Sequence, residues 1–252
     1  MNAAWPREGR FPEWAVQDGV FAPMAIPASN AALGLEAVFS RLGLPPRCSV
    51  YLRGSRLEEA EPHPLADLDL VVVADNVADK KASWAILHPW ALAQPMQVDL
   101  TGHVPQALES CAAYRLLLAT RSMRIFGPPR TWTPVPANEA TMRTHAQRYH
   151  VHLAERGIKG ETLLRVNLLK RLTRSFGVWG FCEGLPFTRD IATCLRRADV
   201  LAPEAAQALR HGWDDMREQA FFVGPALEAL ARCPLFHAWP ALGAVSPRPT
   251  SG

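Results

Sequence analysis

Leu52-Arg-Gly-Ser-Arg56, followed by Asp67-Leu-Asp-Leu-Val-Val-Val73, is the stretch that decides the fold. Cys48-Ser-Val-Tyr-Leu-Arg53 reads as a short strand running into Gly54-Ser55. Residues 56–66 are charged and contain Pro62 and Pro64, which predicts a loop with at most a helical turn. The run from Asp67 to Val73 predicts the strongest strand in the chain. Asp67 and Asp69 are two apart on it, so they project from one face. Side-by-side carboxylates repel, and burial would raise that cost. A bound divalent cation resolves the conflict, and oxygen donors of this kind suit Mg²⁺.

Working outward, Met96-Gln-Val-Asp-Leu-Thr101 predicts another strand, with Asp99 inside an apolar run. If it lies beside the first, three carboxylates share a site. Such a set can hold two cations about 3.5–4 Å apart, the arrangement used for in-line phosphoryl chemistry. Glycine lets the backbone come close to a ligand, and the N–H groups around Gly54 and the Ser55 hydroxyl can hold phosphate oxygens.

The flanking elements follow from periodicity and caps. Leu35, Val38, Phe39 and Leu42 fall on one helical face, which predicts a helix over 30–42, capped by Ser29 or Asn30 and closed by Gly43. Further helices are expected over 77–93 and 105–121, then a short strand at 124–126. Residues 128–137 hold Pro128, Pro129, Pro134 and Pro136 and predict a linker. Beyond it the pattern is helical, over 139–156, 161–182, 188–199 and 203–222, with Asn138 and Thr188 as candidate N-caps. The expected organisation is an N-terminal extension (1–28), a mixed core (29–127), the linker (128–137) and a helical domain (138–252). The fold class is therefore α+β, a small mixed β-sheet followed by an all-α bundle expected to close a cleft over it.

These residues resemble the nucleotidyltransferase superfamily that includes DNA polymerase beta. Its pattern is a strand, Gly-Ser, a spacer, Asp-x-Asp on the next strand and a third Asp on a later one. Here eleven residues separate Gly54-Ser55 from Asp67-Leu-Asp69, and Asp99 follows. A minimal core of this kind ahead of a helical domain is similar to the aminoglycoside adenylyltransferases. The resemblance implies transfer of a nucleoside monophosphate, AMP in the first instance, from Mg-NTP to a hydroxyl of a small molecule, with release of pyrophosphate. It implies that Asp67, Asp69 and Asp99 bind two Mg²⁺ ions, with Asp99 the third ligand or the base. It implies that Gly54, Ser55 and Arg56 hold the phosphates of ATP or another NTP. Lys170 and Arg174, on one side of the 161–182 helix, are the expected phosphate cations from the helical half. The same chemistry on a protein or RNA acceptor, and a catalytically silent antitoxin-like module, are the rival readings.

Composition narrows the classes. With 27 Lys+Arg against 24 Asp+Glu, the net charge of +3 is too small for a nucleic-acid wrapper. Hydrophobic residues at 48% supply a core. Five cysteines, odd in number and without a C-x-x-C, exclude a disulfide framework or four-cysteine zinc site as the organising principle. No apolar run reaches the ~20 residues of a membrane span, and no secretory segment is visible. The expectation is a cytoplasmic protein with no membrane partner, whose oligomeric state is open, a homodimer included. His145, His150 and His152 lack metal-ligand spacing and read as surface or packing residues, as do Trp84, Trp90, Trp179 and Trp213. Arg189 and Asp190 read as complementing a helix end.

Overall fold

The computed structural model describes residues 13–24, 30–58, 67–146 and 162–214. By internal contacts they fall into two compact units, one spanning Trp14–Thr141, the other taking in Glu13 and the described residues from Met142 onward.

The first unit holds strands β1 (Val16–Gln17), β2 (Val20–Phe21), β3 (Cys48–Arg53), β4 (Leu68–Ala74), β5 (Val98–His103) and β6 (Ser122–Phe126). Its helices are α1 (Asn30–Phe39), α2 (Ser55–Glu58), α3 (Val77–Leu92), α4 (Pro105–Glu109) and α5 (Ala112–Thr120). The main sheet has the order β5-β4-β3-β6. β3 runs antiparallel to β4 and β6, and β4 runs parallel to β5, with α3 as the crossover. The sheet is thus mixed, as the sequence predicts.

Strand alternation sorts the side chains into two cores. Val50, Leu52, Leu68, Leu70, Val72 and Ile125 pack with Phe39 and Leu87 on one side, under α1 and α3. Tyr51, Val71 and Val73 pack with Leu108 and Leu118 on the other, under α4 and α5. With both faces covered, β4 is almost continuously apolar after Asp69, and each fully buried aliphatic side chain contributes about 1.5–3 kcal/mol.

The proline-rich segment is bonded to this unit along its length. Phe21 N–H donates to the Val135 carbonyl at 3.0 Å, and Ala137 N–H to that of Gly19 at 2.8 Å. Arg130 ties the Cys48 end of β3 to the end of β4. It donates to Ser49 Oγ (3.0 Å) and the Val73 carbonyl (3.1 Å) and pairs with Asp75 (2.8 Å). The described part of the N-terminal segment also packs on the unit. Trp14 is buried, its indole N–H donates to Thr120 Oγ1 at 2.8 Å, and its ring lies under the Arg121 guanidinium.

Three sequence expectations shift. The helix predicted over 105–121 is two helices, because Ser110 ends α4 and Cys111 takes a non-helical backbone (φ −122, ψ 89) before α5. The strand expected at 124–126 begins at Ser122. Thr188 is not the cap of its helix. It accepts from Asp190 N–H (3.1 Å), and Asp190 caps by accepting from Thr193 N–H (2.8 Å). Asn138 does cap, accepting from Thr141 N–H at 3.0 Å, and Gly43 closes the turn after α1 with φ +69. The Ser29 and Asn30 cap, and the continuations over 147–156 and 215–222, lie outside the described residues.

The second unit is helical. Residues 139–146 form α6, within which the division between the units falls, followed by α7 (Thr162–Cys182), α8 (Ile191–Leu201) and α9 (Pro203–Asp214). α7 and α8 approach closely at Gly177, where an added Cβ would run into the Thr188 carbonyl and Cys194 Sγ. Burial there pushes the Cys194 thiol up to about 12, against the opposing pull of Arg174 and Arg197. Among the described residues, no helix is long and apolar enough to cross a membrane.

Two helical glycines should therefore respond in opposite directions to alanine. Gly34 has nothing within 4 Å of an added Cβ, so Gly34→Ala should stabilise by about 0.5–1 kcal/mol. Gly177→Ala should destabilise by about 1–3 kcal/mol as the overpacked contact opens. Urea denaturation of both variants reads the two signs; a stable Gly177→Ala protein would contradict the packing described.

Candidate active site

The site begins where β3 turns into α2. Gly54 has φ +80, a left-handed conformation that side chains resist, and its carbonyl accepts from Leu57 N–H at 3.0 Å to start the turn. Space demands glycine as well. A Cβ at position 54 would overlap Asp69 Oδ2, so the carboxylate lies against the bare backbone. The first glycine of the Gly-Ser pair and the second carboxylate of Asp-x-Asp are in this way one structural feature.

Register completes it. Arg53 is the antiparallel partner of Asp69, Asp69 the parallel partner of Asp99, and Ser122 the partner of Arg53. Directly paired residues share a face, so Asp99, Asp69, Arg53 and Ser122 form a transverse row across the four strands. Adjacent strands lie about 4.8 Å apart, which makes Asp69 and Asp99 immediate like-charged neighbours. Asp67 precedes β4 by one residue, and alternation puts it in phase with Asp69. Asp67 and Asp69 are half-buried, and Asp99 is exposed on β5 at the sheet edge.

The sequence reading missed Arg53. Its Nη2 donates to Asp69 Oδ1 at 3.1 Å, with 18% and 19% of the two side chains exposed. Asp69 thus meets a guanidinium at one oxygen and the Gly54 backbone at the other. Alternation could have placed Arg53 on the face of Tyr51 and Ser49. Only the β3–β4 register brings it opposite Asp69.

The other expected residues sit as follows. Ser55 opens α2, Arg56 is half-buried on it, and the Ser55 side chain lies outside the described residues. Lys170 and Arg174 belong to α7 in the other unit; Lys170 is half-buried and Arg174 Nε donates to the Arg189 carbonyl at 3.2 Å. His145 is buried edge-on to Phe187 (5.4 Å), a packing role. Trp90 joins the α3-side core, Trp179 stacks on Phe176 and Trp213 donates to Thr173 Oγ1, while Trp84 is 38% exposed. His150 and His152 lie outside the described residues.

Beyond the row, the same face carries apolar and aromatic groups. Tyr51 packs on Trp132 (5.7 Å) and His103 on Tyr114 (4.4 Å). Burial pushes the Tyr51 phenol up, opposed by Arg130 and Arg124. At the edge, Asp99 also lines a hollow of about 460 Å³ beneath α3, shared with Trp84, His88, Gln94 and Gln97.

The donor chemistry fits a hard divalent cation in kind, since ionised carboxylates offer only acceptor oxygens. It fits the expected two-ion cluster poorly. Among the described residues, no three His, Cys, Asp or Glu side chains come together in one cluster, and Asp69 already has a cationic partner, whereas a single Mg²⁺ needs only one or two carboxylates beside substrate phosphates.

No protein-family model matches the chain, and no curated protein matches it in sequence. Among solved structures, the spectinomycin adenyltransferase AAD(9) of Enterococcus faecialis, determined with ATP and spectinomycin, is similar in fold. The TM-score is 0.52 at 13% identity, covering 81% of this chain and 96% of that one. The likeness is one of fold: a small mixed sheet with helices, followed by further helices.

The Gly54–Asp69 contact makes a quantitative prediction. Gly54→Ala should cost about 2–4 kcal/mol, from its left-handed backbone plus the overlap with Asp69. In an Asp69→Ala background only the backbone part, about 1–2 kcal/mol, should remain. A double-mutant cycle measured by denaturation gives the coupling; additive costs would contradict the contact.

Proposed function

We propose that the protein is a nucleotidyltransferase. It moves a nucleoside monophosphate, AMP in the first instance, from Mg-NTP to a hydroxyl of a small molecule and releases pyrophosphate. The observation that carries this reading is the Gly54 backbone against the Asp69 carboxylate, with Asp99 in register on the parallel strand. A glycine backbone that meets a carboxylate, with a second carboxylate one strand away, is the arrangement this chemistry would use. The fold shared with a protein solved with ATP and a small-molecule acceptor supports it.

In this reading the turn at Gly54 and Ser55 offers backbone N–H groups to the triphosphate, and Arg56 at the start of α2 adds positive charge. Asp67, Asp69 and Asp99 are the carboxylates that hold Mg²⁺, which when bound supplies positive charge to the reacting phosphate. Asp99, exposed at the sheet edge, is the third of these ligands or else the base, which would take the proton of the acceptor hydroxyl as it attacks the α-phosphorus. The bond to the bridging oxygen breaks, and pyrophosphate leaves with the electron pair. Most of the acceleration comes from holding the two reactants in line and from fixed charge around the phosphate. A phosphate role for Lys170 and Arg174 belongs to the same reading and is tested by its own alanine variants.

Wild type should gain thermal stability with ATP only when Mg²⁺ is present. Asp69→Asn should lose that gain, and turnover should fall by about 100-fold or more. Thermal shift with each NTP, then pyrophosphate release against amino-sugar antibiotics, nucleosides and proteins, makes the measurement. Absence of Mg²⁺-dependent nucleotide binding in wild type would remove the reading. Failure with every amino sugar would remove only that acceptor class.

A further inference from the structure

We infer that Arg53 takes the place of one of the two metal ions, so that the site works with a single divalent cation and a built-in guanidinium. This rests on the nucleotidyltransferase reading and refines it.

Three observations carry the inference. The first is contact: Arg53 Nη2 lies 3.1 Å from Asp69 Oδ1, while Oδ2 faces Gly54, so the carboxylate best placed between two ions already has a cation on it. The second is position. Arg53 and Asp99 flank Asp69 in one transverse row, on opposite sides of it. A cation between Asp69 and Asp99 and a guanidinium on the far side of Asp69 together reproduce two positive centres bracketing a shared carboxylate. Two ions would need Asp69 to give up Arg53, leaving that guanidinium beside them. The third is charge. Asp67, Asp69 and Asp99 carry a formal −3, and Arg53 reduces it to −2, which one divalent ion neutralises. Two ions would leave the row at +2 before substrate binds.

Arginine suits the task. Its guanidinium stays ionised, presents donors in a fixed plane and is more weakly hydrated than an ammonium, so it remains in a half-buried ion pair. The Arg53 side chain is 18% exposed, and among the described residues its Nε is buried with no hydrogen-bond partner. Arg53 is then a positioning residue for Asp69 and a fixed cation for the nucleotide.

The test is to count ions. The full chain is titrated with Mn²⁺ in the presence of an ATP analogue whose α,β-bridging oxygen is a methylene, and protein-retained Mn²⁺ is followed by electron paramagnetic resonance. Wild type should retain one Mn²⁺ with an uncoupled spectrum. Arg53→Gln should retain two, with the broadening of a spin-coupled pair, and Arg53→Lys, which keeps the charge, should retain one. A coupled pair in wild type, or a single ion in a folded Arg53→Gln protein, would overturn the inference and leave nucleotidyl transfer standing. No retained Mn²⁺ in any of the three would remove the parent reading and this one with it. If Arg53→Gln does not fold, wild type and Arg53→Lys still decide between one ion and two.

Discussion

The constraint on which the rest depends is the contact between the Gly54 backbone and the Asp69 carboxylate. It exists because β3 and β4 pair in one register, with Arg53 opposite Asp69, and because residue 54 has no Cβ and a positive φ. A slip of one residue would turn every β4 side chain to the opposite face, sending Leu68, Leu70 and Val72 out of their core and the aspartates into it. The apolar packing under α1 and α3 thus fixes which side chains stand on the opposite face. Stability and site share one cause, the alternation of Asp67-Leu-Asp-Leu-Val-Val-Val73.

That alternation is why so much was legible in the sequence. The β-branched run named the strand, and the two-residue spacing named the face. The Gly-Ser pair at the end of another strand named the turn. The parallel pairing of β4 with β5 was left open, although a helix-length segment between 77 and 93 separates two strand patterns, as a parallel crossover requires. Arg53 was not legible. Its spacing from Asp69 crosses eleven residues between Ser55 and Asp67, far longer than the tight turns that fix register, so the sequence named the strands but not their partners.

Other misreadings have equally local causes. The apolar period runs through Ser110-Cys111, and nothing in residue type marks the non-helical backbone that divides α4 from α5. Thr188 and Asp190 are both good caps, and only geometry shows Thr188 serving the turn and Asp190 the helix. The prolines of 128–137 read as a linker, with no contacts of their own foreseen. The structure instead uses their extended backbone to carry Arg130 to the Cys48 end of β3 and Trp132 onto Tyr51. The net charge of +3, uninformative about partners, conceals a local arrangement in which two aspartates and an arginine lie side by side across three strands.

On the proposed reading, a metal-bound nucleotide sits at Gly54 and the row of Asp69 and Asp99 beside it. A crystal structure of the protein with Mn²⁺ and a non-hydrolysable ATP analogue tests it most directly, because the anomalous signal of manganese locates the ion independently of the fold. The account predicts a manganese peak between Asp69 and Asp99, with the phosphates on the backbone at Gly54 and Ser55. Phosphates bound elsewhere, with no ion at the row, would contradict it.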